Sequence, residues 1–147
     1  AERNISIQAI VEITMRNDSI AFGQIGASGT NDTSDNSPLP FLIENTGNSF
    51  VNVTISATNL WQSQANPSSY YQFKAANNTL ENRSFNWGFS TTTYTNMPVV
   101  TTQQFIAILN YTDSTDTAEV DINVTVPPNE EPGFKNSTVT FTASLGE

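Results

Sequence analysis

Residues 4–16 alternate between apolar and polar side chains. Ile5, Ile7, Ala9, Val11, Ile13 and Met15 hold the odd positions, while Asn4, Ser6, Gln8, Glu12, Thr14 and Arg16 hold nearly all the even ones, with Ile10 the exception. A period of two separates the side chains of an extended segment onto two faces, one apolar and one polar, so the run reads as a single half-buried β-strand. At about 3.3 Å per residue it would span roughly 45 Å, against roughly 17–20 Å for an ordinary strand. A strand of that length is buried either in its own domain or in a neighbouring molecule. The two outcomes describe different proteins.

Composition narrows the choice. The 147 residues, 37 % hydrophobic and 10 % aromatic, suit one domain with a full-sized core. The chain has no histidine and no cysteine, which removes the commonest general base, the thiol nucleophile, disulfides and the usual zinc ligands. No pair of carboxylates stands out for glycoside hydrolysis, so the chain is not expected to be an enzyme. Five basic residues against fourteen acidic ones give a net charge of −9. Nucleic acid is not expected as a partner, because no basic patch exists to neutralise phosphates. No apolar run approaches the ~20 residues of a spanning helix, so no membrane span is expected. The opening Ala-Glu-Arg-Asn enters a strand directly, as expected of a mature form whose leader has been removed.

The tripeptide Asn-x-Ser/Thr occurs nine times, at Asn4, Asn17, Asn31, Asn52, Asn77, Asn82, Asn110, Asn123 and Asn136. Random order at this composition would give about four. Placement adds to the count. Asn52 and Asn123 fall on the polar phase of alternating segments, as does Asn4, and Asn136 precedes the outward-facing Thr138, Thr140 and Thr142. A glycan is bulky and hydrated and fits only such faces or loops. Asparagine is polar and faces water in any case, which is the competing reading. Glycosylation would make the protein extracellular or cell-surface.

The rest of the chain reads as strands separated by turn clusters, with almost no helical periodicity. The expected strands are 4–16, 19–25, 39–45, 50–60, 70–75, 83–90, 103–112, 117–126 and 135–145. Residues 26–40 should form a long surface loop, 45–48 a tight reversal, and 127–133 the last connection. About nine strands at this spacing predict an all-β single sandwich, jelly-roll or immunoglobulin-like. Trp61, Phe73, Phe85, Trp87, Phe89, Phe105 and Phe141 are expected mostly in the core. The alternative is a carbohydrate platform of Trp61, Tyr70, Tyr71 or Tyr94. Val139, Phe141, Ala143 and Leu145 are expected to face inward.

No cofactor is expected, though two acidic groups each offer a structural calcium ion three or four oxygens. They are Asn31, Asp32 and Asp35 in the first long loop, and Asp113, Asp116, Glu119 and Asp121 near the eighth strand. Neither has the twelve-residue calcium-loop spacing, and ordinary solvated polar turns are the simpler reading of both.

Three segments carry a family resemblance: ERNISIQAIVEITM, PFLIENTGNSFVNVTISATNLW and VPPNEEPGFKNSTVTFTA. Together they resemble secreted archaeal β-sandwich proteins, the subunits of bundling pili and threads, and the TasA-like bacterial biofilm fibre proteins. The resemblance implies a homopolymer assembled head to tail, each subunit lending its N-terminal strand to the next, with a glycosylated surface and a role in adhesion or biofilm cohesion. On that reading residues 1–16 are a donor strand presenting Ile5, Ile7, Ala9, Val11, Ile13 and Met15, and 17–147 are the sandwich. The other reading is a self-contained immunoglobulin-like surface module for S-layer association, adhesion or carbohydrate binding.

Overall fold

The computed structural model describes residues 5–100 and 103–146. They form nine strands in two antiparallel sheets packed face to face, the β-sandwich that the alternating segments predict. In chain order these are β1 (Ile13–Asn17), β2 (Thr30–Asp32), β3 (Phe41–Asn45), β4 (Val51–Ala57), β5 (Tyr71–Asn77), β6 (Thr95–Asn96), β7 (Gln104–Leu109), β8 (Thr117–Thr125) and β9 (Val139–Leu145). The larger sheet runs β1-β3-β8-β5-β6, with β2 also on β8; the smaller runs β7-β4-β9. Val51, Val53 and Ile55 of β4 face Ile43, Phe73, Ala118 and Val120 of the larger sheet within one buried core.

Ring contacts fix how the sheets lie on each other. Phe41 of β3 meets Phe141 of β9 edge to face at 5.4 Å, and Phe73 of β5 meets Phe105 of β7 at 5.5 Å. Strand β9 therefore lies over β3, and β7 lies over β5. The two flanks of the sandwich differ as a result. Beside β7, residues 84–91 cover the edge: the Asn86 and Thr91 N–H groups donate to the carbonyls of Ala107 and Phe105, and Ala107 N–H donates to Ser90 Oγ. On the opposite flank lie β1 and β9, each paired on one side only among the described residues.

The first strand is shorter than its alternation predicts. Only Ile13–Asn17 joins a sheet, pairing antiparallel with β3 from Ile13↔Asn45 to Asn17↔Leu42. The cause is the length of β3: it ends at Asn45, so residues before Ile13 have no strand opposite them. Ile13 and Met15 are half-buried against this chain's own core, whereas Ile5, Ile7, Ala9 and Val11 lie beyond the sheet with exposed side chains. Ala1 to Asn4 fall outside the described residues.

Four other expectations fail locally. Residues 19–25 join no sheet, and Gly23 has φ +71°; Ile20, Phe22 and Ile25 nevertheless rest half-buried on the core. Residues 83–90 are irregular, beginning at Arg83 with φ 66° and closing in a 3-10 turn over Trp87–Phe89. Their apolar residues therefore do not share one face, and Trp87 and Phe89 are exposed while Phe85 is buried. The predicted loop 26–40 contains β2, which extends the larger sheet past the start of β3. Leu145, at the end of β9, is exposed rather than core-facing.

Candidate functional site

The residues preceding β1 are held along one edge by the 46–48 turn. Thr46 N–H donates to Glu12 O (3.1 Å) and Asn48 N–H to Ile10 O (3.1 Å); Ile10 N–H donates to Asn48 Oδ1 (2.6 Å), and Asn48 Nδ2 to Gln8 O (3.1 Å). Glycine at 47 is required by the crossing, since a methyl group there would lie 2.1 Å from the Ile10 carbonyl oxygen. The backbone of residues 8–12 is thus held on the turn while the side chains of the segment stay bare. Ile5 is 90 % exposed, Ile7 85 %, Ile10 53 % and Val11 39 %. Four adjacent apolar side chains in the open are unusual for a chain that could bury them.

Strand β9 is the complementary feature. Its seven residues, Val-Thr-Phe-Thr-Ala-Ser-Leu, contain no charge and no proline, the devices that ordinarily keep a free sheet edge from pairing. On its inner face Val139, Phe141 and Ala143 are only half-buried, although they pack on the core. Backbone donors and acceptors on the side away from β4 have no strand partner among the described residues.

The acidic groups do not assemble as their sequence order predicts. In the first loop Asp32 Oδ1 accepts Ser34 N–H at 2.8 Å, Asp35 Oδ1 accepts Ser37 N–H at 3.0 Å, and Asn31 Oδ1 accepts Asp32 N–H. Each serves its own turn. In the second, the alternation of β8 sends Glu119 and Asp121 along the outer face of the sheet, where Asp121 Oδ1 accepts the Thr33 hydroxyl at 2.8 Å. Burial raises the Asp121 carboxyl, against the opposing pull of Thr33 and Lys74. Asp113 and Asp116 instead meet Glu44 of β3, with one oxygen from each within 4.8 Å of the others. Burial first, then the charges of Glu44, Glu81 and Asp113, push Asp116 up to about 6. An acid raised in the folded state stabilises the fold as it gains its proton. In chelating buffer, resistance to urea should therefore rise as the pH falls from 7 towards 5, and Asp116→Asn should flatten that rise.

Glu130 behaves in the opposite sense. Burial alone would raise its carboxyl, but bonds from Gln62 N–H (2.6 Å), Ser63 N–H (3.1 Å), the Ser63 hydroxyl (3.0 Å) and Lys135 bring it down to about 2. These bonds tie the 61–63 loop to the last connection. Their contribution is complete above the ordinary value of 4.5 and is lost as the pH falls through about 2. Glu130→Gln should lower the melting temperature at pH 7 by a few degrees and abolish this acid limb of the stability profile, measured by circular dichroism.

None of the eight described sequon asparagines is buried. Asn82 and Asn136 are exposed; Asn31, Asn52, Asn77 and Asn123 are half-exposed. Asn52 Oδ1 accepts Ile108 N–H, where β7 is irregular and Ile108 has φ 56°, and its Nδ2 is not used in that bond. Asn17 and Asn110 use Nδ2 internally, on the Leu39 and Pro40 carbonyls and on the Thr115 hydroxyl. Of the aromatic platform candidates, Trp61 and Tyr71 are buried, with Trp61 Nε1 donating to Tyr70 O and Tyr71 OH to Ser137 Oγ, while Tyr70 and Tyr94 are half-buried. Glu44 and the openness of the β9 edge are the features that sequence order did not reveal. No protein-family model and no curated protein matches this chain.

Proposed function

We infer that this protein is a structural subunit of an extracellular filament, in which residues 5–11 of one copy pair with the free edge of β9 in the next. The observation that carries this reading is the coexistence of an apolar segment left bare by its own sheet and an unguarded, half-covered strand edge on the same molecule. Strand addition would satisfy the unpaired backbone of β9 and let Ile5, Ile7 and Val11 cover Val139, Phe141 and Ala143. Each large side chain so buried contributes roughly 1.5–3 kcal/mol, before the cost of ordering the segment. Donor and acceptor are different surfaces, so the contact does not close on itself and repeats into a fibre. Ile13 and Met15 belong to the subunit's own sheet, and the lent portion is correspondingly shorter than residues 1–16.

Exposed sequons and a net charge of −9 fit a surface presented outside the cell, where glycans would keep fibres hydrated and separate. Adhesion or biofilm cohesion is the role such a fibre serves best. Material from the native source should then carry mass in hexose-type steps above the 16.0 kDa chain. A second reading, a self-contained surface module, is favoured by the pairing of Ile13–Asn17 with β3.

Peptide complementation separates the two. A synthetic peptide of residues 4–12 added to a chain lacking residues 1–11 should bind one to one and raise its melting temperature. A scrambled peptide should not. Absence of binding at millimolar peptide would overturn the filament reading.

A further inference from the structure

We propose that Glu44, Asp113 and Asp116 form a calcium site at the end of the sandwich where β3, the β7–β8 connection and β8 converge. Antiparallel pairing sets Glu44 opposite Thr117, which brings it beside Asp116, and the connecting loop returns Asp113 to the same place. One carboxylate oxygen from each lies within 4.8 Å of the others. Calcium binds oxygens at roughly 2.3–2.6 Å, so two ligands on one ion stand up to about 5 Å apart, and the triangle has the size one ion would span.

The independent observation is Asp116 itself. It is 4 % exposed, and its Oδ1 is shielded from solvent with no hydrogen-bond partner. A carboxylate oxygen stripped of water and left unpaired is costly, and a bound ion beside it would remove that cost. The charges agree. Arg16 is paired with Glu44, and Glu81 adds a fourth carboxylate beside Asp116, so the cluster keeps an excess of negative charge that a divalent ion would offset. Glu81 Oε2 accepts the N–H groups of Asp116 and Thr117 at 3.2 and 3.0 Å, fixing the backbone that carries Asp116. The donors are all oxygens, in a chain without histidine or cysteine, which suits a hard cation rather than zinc or copper. The site does not depend on the filament reading, since all three ligands come from one chain.

Calcium titrated into the whole, chelator-stripped chain should give a single-site isotherm by calorimetry. At a hundredfold excess over Kd the melting temperature should rise by about 5–10 °C. Asp113 is exposed, so Asp113→Asn should melt with the parent in EDTA yet bind calcium at least tenfold more weakly; Asp116→Asn should lose the response altogether. Coincident parent curves in calcium and EDTA would overturn the site. So would a shift reproduced by sodium chloride at matched ionic strength, or a response that survives in both variants.

Discussion

Truncating Phe105 to alanine is expected to lower the unfolding free energy by ~3–5 kcal/mol, measured by urea denaturation at neutral pH. Phe105 is fully buried on β7 and touches Phe73 of β5 at 5.5 Å and Phe141 of β9 at 5.9 Å, so its ring joins both sheets and both halves of the smaller one. Removing it leaves a cavity with walls from three strands that cannot all move inward. Phe89, of the same size but exposed in the 3-10 turn, should cost no more than ~0.5 kcal/mol on the same change. Equal losses at the two positions would contradict this arrangement of the core.

Deleting residues 1–11 should abolish self-association while leaving the fold intact. The described part of that segment contributes exposed side chains and edge hydrogen bonds to the 46–48 turn, but no strand and no core contact. The truncated chain should therefore melt within a few degrees of the parent, sediment as a monomer and form no fibres in negative stain. Deleting residues 1–17 is a different experiment. It removes β1 together with the half-buried Ile13 and Met15, exposes the edge of β3 and should cost several kcal/mol. A truncation at residue 11 that still polymerises would show that another surface drives assembly.

Strand phase was legible wherever one face was buried. Val51–Ala57, Thr117–Thr125 and β9 as far as Ala143 follow their alternation, because there the inward residues meet the opposite sheet. Alternation does not say what covers a face. Residues 5–11 and 13–15 share one pattern, but β3 is long enough to pair with only the second group. Around Trp87–Phe89 the aromatics mimic a strand, while Arg83 and the 3-10 turn rotate them out of phase. The acidic residues were grouped by nearness in sequence, whereas strand pairing groups them by nearness across the sheet. Glu119 and Asp121 are carried along β8, and Glu44, some seventy residues from Asp113, takes their place. The signal existed: Glu44 is the penultimate residue of one strand, beside a tight turn, and Asp116 immediately precedes another, the positions where antiparallel neighbours meet.

Because the chain has no cysteine, the proposed junction can be trapped by two single replacements. Chains carrying Ile7→Cys are mixed with mass-tagged chains carrying Ala143→Cys, allowed to assemble and oxidised gently. The account predicts a mixed disulfide dimer, identified by its intermediate mass, in preference to either like-with-like dimer, and its disappearance when residues 4–12 are supplied as free peptide. Fibres that form without that mixed product would contradict it.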